Sequence, residues 1–199
     1  FAFAQEKSLS PFTSLKVFDN INVKLVPSTS YKSDTQGDNV DDIEFVNTGD
    51  ELKVRMKTAK VLQGNKTTVT LYYKEINSLQ VSQGARITSD KTLKANKLNL
   101  VCNEGGNINL DVDVSVLDTK INTGGKIEIT GKANSQTAVI NTGGDYSAKN
   151  LKTDIASISI TAGGNASVYA KKSIDAKVKA GGNINVYGNP KTQNNKTFA

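Results

Sequence analysis

The 199-residue chain has no histidine, one cysteine and a net charge of +6 carried almost wholly by lysine. The missing histidine removes the commonest general base, the usual triad partner and the usual zinc ligand, so hydrolase and zinc chemistry are disfavoured. A lone cysteine rules out an internal disulfide framework, and no apolar run is long enough to cross a bilayer as a helix, so the chain is expected to be soluble.

Residues 1–11 begin Phe1-Ala2-Phe3-Ala4-Gln5. Ala2-x-Ala4 ahead of a polar stretch fits the cleavage site of a signal peptide, with Gln5 near the first mature residue; an expression scar or a frayed, disordered N-terminus fits it as well. Residues 12–76 hold strand-like segments at Leu15 to Val26, Ile43 to Val46, Leu52 to Met56 and Thr67 to Tyr73, parted by polar stretches such as Ser28 to Asp42. Five of the six phenylalanines, Phe1, Phe3, Phe12, Phe18 and Phe45, lie in this first part of the chain. Bulky aromatics suit a cover for an open core, so this region is expected to be a β cap with one or two irregular coils. Asp38, Asp41, Asp42 and Glu44 offer oxygen ligands to calcium, but their spacing matches neither an EF-hand nor the glycine-rich nonapeptide calcium repeats, and a solvated loop is the simpler account.

Residues 77–188 carry a glycine pair five times, at Gly105-Gly106, Gly124-Gly125, Gly143-Gly144, Gly163-Gly164 and Gly181-Gly182, in steps of 19, 19, 20 and 18 residues. Three positions before each pair stand Cys102, Ile121, Ile140, Ile160 and Val178; three after its first glycine stand Ile108, Ile127, Tyr146, Ala166 and Ile184. Polar residues alternate with these columns, which gives strand, tight turn, strand. A fixed period with aligned apolar columns implies coils stacked in parallel, because a hairpin meander has no reason to keep one length. The fold class expected is all-β, a parallel β-helix-like solenoid with two main sheets and about 19 residues per coil, with a second turn midway through each coil near Lys94-Ala95, Ser115-Val116, Asn134-Ser135, Thr153-Asp154 and Ser173-Ile174. Asn103, Asn122 and Asn141 share one column; an amide ladder or plain tolerance of turn geometry explains them, and both are structural. Echoes of the repeat at Asn20–Val23 and Asn47–Asp50 favour one continuous domain over residues 12–199, with 189–199 a capping tail in which Phe198 covers the end of the core.

The motif Gly106-Asn107-Ile108-Asn109, repeated as Gly182-Asn183-Ile184-Asn185, the opening Phe18-Asp19-Asn20-Ile21-Asn22-Val23 and the closing Tyr187-Gly188-Asn189-Pro190 resemble the head GIN domain family of bacterial "putative auto-transporter adhesins", over about Phe12 to Pro190. The resemblance implies a fold similar to pectin-lyase-like β-helices, export from the cell and no catalytic residues.

No cofactor and no metal are expected. Cys102, in an inward column, is an inert thiol rather than a nucleophile. Asp90 and Asp111 share a column six residues after the first glycine and are the one candidate carboxylate pair for glycoside hydrolysis, with solvated surface charge as the simpler account. The same column continues through Thr130, Lys149, Tyr169 and Tyr187. Two tyrosines on successive coils beside Lys149 form a candidate face for a glycan or a surface protein, although exposed tyrosine is also ordinary in strands. The lysines are neither clustered nor interleaved with a nucleic-acid motif, so nucleic acid is not an expected partner. The sequence thus points to a non-catalytic exported binding or adhesion module at the periplasm, outer membrane surface or cell exterior. The alternatives are a self-associating scaffold, a homo-oligomer such as a trimer, and a carbohydrate-active β-helix enzyme.

Overall fold

The computed structural model describes residues 5–198, so the Ala2-x-Ala4 motif, Phe1 and Phe3 lie outside the described residues. The chain folds as a β-solenoid of about six turns with roughly 19 residues per turn. The first part comprises strands β1 (Gln5–Ser8), β2 (Ser14–Val17), β3 (Asn22–Pro27), β4 (Lys32–Gly37), β5 (Ile43–Thr48), β6 (Glu51–Met56), β7 (Thr67–Tyr73), β8 (Ser78–Val81) and β9 (Arg86–Ser89). The regular part comprises β10 (Leu93–Cys102), β11 (Asn107–Ile121), β12 (Lys126–Thr142), β13 (Asp145–Ala162), β14 (Asn165–Tyr169), β15 (Ser173–Ala180), β16 (Asn183–Tyr187) and β17 (Thr192–Thr197).

In the regular part the periodic columns become stacks of parallel strands. Cys102 lies on Ile121, Ile121 on Ile140, Ile140 on Ile160 and Ile160 on Val178 in one wall. Ile108, Ile127, Tyr146, Ala166 and Ile184 follow one another in the facing wall. From Cys102 to Ile160 and from Ile108 to Ala166 these side chains are no more than 1% exposed. Each large aliphatic side chain so buried contributes about 1.5–3 kcal/mol, which makes the inter-wall core the main source of cohesion.

The glycine pair has two separate reasons. Thr123 and Gly124 turn the chain with φ of 51° and 73°, a left-handed conformation that costs glycine least. Gly125 instead needs the lack of a side chain, because a Cβ there would stand 2.8 Å from both the carbonyl oxygen and Sγ of Cys102 on the adjacent coil. Successive turns are also linked, Gly124 N donating to Thr142 O and Gly143 N to Ala162 O, both at 3.1 Å.

In the three coils of β11, β12 and β13 the expected second turn is not a turn, whereas the chain does leave the strand at Ala170–Lys172, just before Ser173-Ile174. β11, β12 and β13 run unbroken past Ser115, Asn134 and Asp154, and the chain bends there within the strand. The inward alternation of β11 passes from Val112 and Val114 to Leu117 and Thr119, so Ser115 and Val116 both point away from the core and make the corner. One change of side-chain parity bends the strand at the cost of a single pair in the ladder, and the register continues unchanged beyond it, which a search for turn residues misses. The 20-residue step has a local cause too: Glu128 faces Ser147 but Thr130 faces Asn150, so Ala148 and Lys149 together oppose Ile129 in a bulge.

In the N-terminal part the spatial order departs from the chain order. β2 pairs in parallel with β6 on one side and β8 on the other, and β3 lies likewise between β7 and β9. The first coil in sequence is therefore the second in space. β4 and β5 pair antiparallel with β7 and β6, and β1 adds antiparallel to β4, which closes this end. Gln5–Ser8, within the stretch expected to be a leader remnant or disordered, is strand β1, and Asn47-Thr48-Gly49-Asp50 joins an antiparallel hairpin rather than forming a coil turn. At the other end β17 pairs with β15 and completes the last half-coil. Phe198 does not cover the core as expected; it is 51% exposed, with Lys177 Nζ 5.3 Å from its ring centre.

Candidate functional site

Tyr169 and Tyr187 end strands β14 and β16 and are register partners on adjacent coils. Their surroundings differ. Tyr187 is 45% exposed. Tyr169 is half-buried, its ring packed so closely on the backbone at Gly188 that a Cβ there would meet Cε2 and Cζ at 2.8 Å. The cation over Tyr169 is Lys152, with Nζ 3.9 Å from the ring centre. Lys149, the expected neighbour, is taken out of register with Thr130 by the bulge, so that Asn150 faces Thr130, while β13 and β14 stay in register up to Ala148 and Val168. A lysine this close to an aromatic face is held by roughly 0.5–2 kcal/mol.

Lys152 belongs to a column that sequence reasoning passed over. Lys94, Asp113, Lys132 and Lys152 are successive register partners along the strand corner, spaced by the inter-strand distance of about 4.8 Å. Three surface depressions adjoin here. Lys94 and Ala95 line both the first and the second, and Ala133 and Asn134 line both the second and the third, which ends at Tyr169 and Lys171. Together they form one groove along the solenoid axis, floored by small side chains; its central section holds about 520 Å³. Asp113 pairs with Lys132 at 3.2 Å, while Lys94 and Lys152 have no ion-pair partner among the described residues. Each of the four stands 11 residues before the glycine pair that follows it, at Gly105, Gly124, Gly143 and Gly163, so the signal was in the sequence for a count taken back from the next turn rather than forward from the last.

The polar interior is structural. Asn122 Nδ2 donates to Asn103 Oδ1 at 2.7 Å, and Asn141 Nδ2 to Asn122 Oδ1 at 2.6 Å, while Asn103 Nδ2 reaches Ser82 Oγ at 3.2 Å. Inside the core, Tyr146 OH donates to Gln136 Oε1 at 2.9 Å, and Gln136 Nε2 donates to Thr153 Oγ1 at 2.9 Å and Tyr169 O at 3.0 Å. Burial pushes the Tyr146 phenol well above its usual range. The Cys102 thiol is likewise pushed up to about 11 by burial, an effect partly offset by its contact with the Lys126 carbonyl.

The two candidate carboxylates have separate partners. Asp90 pairs with Lys24, whereas Asp111 accepts hydrogen bonds from Thr92 at 2.5 Å and Thr130 at 2.8 Å. The acidic segment is also engaged elsewhere: Glu44 with Arg55 at 3.1 Å, Asp42 with Lys57 at 3.9 Å and Asp38 with Lys66 at 3.6 Å. Among the described residues no three carboxylates gather where a cation would sit, and no helix is long and apolar enough to cross a membrane.

A family model described as "Putative auto-transporter adhesin, head GIN domain" matches residues 11–190. The chain belongs to the head GIN domain family. Its fold is that of a "putative adhesin" from Bacteroides fragilis NCTC 9343, with a TM-score of 0.89 at 17% identity over 100% of this chain and 94% of that one. A "putative lipid binding protein" from Parabacteroides distasonis ATCC 8503 matches with a TM-score of 0.74 at 17% identity, covering 99% and 93% of the two chains. A "putative adhesin" from the same strain has a TM-score of 0.70 at 18% identity, covering 100% and 97%. No curated protein matches. The family is adhesin-like, and the likeness to these structures, at such low identity, speaks for the fold alone.

Proposed function

We propose that this head GIN domain is an exported, non-catalytic binding module that retains a glycan chain laid along the corner groove, with Tyr187 as the open stacking ring and Lys152, held over Tyr169, as the polar anchor. The observation that carries this reading is the meeting of an axial groove with a tyrosine pair in register on the last two coils. Tyrosine offers a broad apolar face with a polar tip and few torsions to immobilise, which suits a sugar ring. The polar column beside it supplies donors at Lys94, Lys132 and Lys152 and an acceptor at Asp113, and weak contacts repeated along a groove add through effective concentration. Catalysis would need a positioned acid and base, and the two candidate carboxylates have separate partners.

Glycan arrays read in parallel with turnover assays on the same glycans test the proposal. Retention without turnover, lost on Tyr187→Ala and weakened on Tyr169→Ala, is the expected result. Turnover, or retention unchanged in the double substitution, would overturn it.

A further inference from the structure

The two ends of the solenoid are unlike. The N-terminal end is closed by antiparallel strands β1, β4 and β5. At the C-terminal end, among the described residues, β16 pairs only with β14 and β17 only with β15, so each presents a row of backbone groups with no partner among them. Columns buried in every earlier coil open there: Ile108, Ile127, Tyr146 and Ala166 are 0–1% exposed, but their successor Ile184 is only partly buried, as are Val178 and Val186. These three side chains line a depression of about 410 Å³ between the last two strands. Unpaired edges beside bared core residues are a strong template for strand addition.

We infer that this end docks against the same end of a second copy, tail to tail about a two-fold axis, with the edge strands pairing antiparallel across the junction. Three observations select this occupant. The edge strands are almost free of charge, with Lys196 the only side chain charged at neutral pH in Asn183–Tyr187 and Thr192–Thr197. Their side chains are chiefly amides, Asn183, Asn185, Gln193, Asn194 and Asn195, which both donate and accept and so complement a copy of themselves. Head-to-tail stacking is opposed by the edges at the other end, β1 and β5, which carry Glu6, Lys7 and Glu44, charges that blunt strand pairing, so the contact is isologous and stops at a dimer rather than growing into a fibre. Lys171, Lys172, Lys177, Lys179, Lys191 and Lys196 lie in the last coils, so the junction doubles a positive field. Added salt therefore tightens the dimer, the reverse of a contact driven by opposite charges.

Sedimentation equilibrium across micromolar to submillimolar concentrations, combined with amide hydrogen exchange, tests this. The expected result is a monomer–dimer equilibrium strengthened by salt, with exchange in Asn183–Tyr187 and Thr192–Thr197 slowing as the dimer fills and exchange in β1, β4 and β5 unchanged. Ile184→Lys with Val186→Lys should weaken association by about a hundredfold or more. If that variant does not fold, the exchange pattern of the unsubstituted protein decides. A monomer throughout, a trimer, or a dimer protected anywhere other than β16 and β17 would overturn the inference.

Discussion

The regular coils and the N-terminal third are built from the same two-walled unit, yet they are assembled by different rules. From β10 onward each coil lies on the one before it, so chain order and spatial order agree and each apolar column continues the last. Before β10 the coil of β2 and β3 is enclosed between two coils made later in the chain. Its edges are fastened by residues with no periodic pattern: Asp50 O accepts from Thr13 N and Ser14 N, and Thr13 O accepts from Asn77 N and Ser78 N. Asp19, buried and left-handed at φ 61°, accepts backbone bonds from Met56 at 3.0 Å and Leu62 at 3.3 Å, which joins two coils at their turns. A repeat thus encodes the shape of a coil, whereas the order of coils is set by non-local pairings that leave no period behind.

Glycine substitutions should separate the regions most sharply. Gly125→Ala drives a methyl group into the Cys102 backbone and should cost about 3 kcal/mol or more. Gly49→Ala, in the antiparallel hairpin, meets nothing within 4 Å and carries only the cost of its positive φ, roughly 1–2 kcal/mol. Urea denaturation of both variants checks the difference, and equal losses would mean that the turns of the regular coils are not in contact with their neighbours.

A smaller effect is expected inside the core. Tyr146→Phe removes the hydroxyl that donates to Gln136 while leaving the ring, so it strands a buried acceptor at a cost of about 1–3 kcal/mol, measured by thermal unfolding. Smallest is the contrast between two amide stacks. Asn122→Ala breaks two partly buried bonds and should cost about 1 kcal/mol, whereas Asn183→Ala, in an exposed stack at 3.4 Å, should fall within about 0.5 kcal/mol of the parent.

The fold was readable where the physics is periodic. Glycine spacing and the columns through Ile121 and Ile140 are enough to specify parallel coils, because any other arrangement would put those side chains in water. Three features were not readable. The corner at Ser115 and Val116 depends on a parity change that needs no glycine or proline. The enclosed position of β2 and β3 depends on pairings 37 and 64 residues away, Leu15 with both Leu52 and Leu79. The third is the candidate site, where one inserted residue at Ala148-Lys149 shifts everything after it. Counting from the glycines selects Lys149, whereas the cation that lies over the Tyr169 ring is Lys152, three residues further along β13.

That slip allows the most direct check of coil stacking. Cysteines in register on neighbouring parallel strands stand within disulfide reach, with Cα atoms about 5 Å apart, and buried Cys102 does not compete for them. Thr130→Cys with Asn150→Cys should oxidise readily to an internal disulfide, and Thr130→Cys with Lys149→Cys should not. Closure of the second pair in preference to the first, or of neither, would contradict the parallel, bulged register on which the groove and both proposals rest.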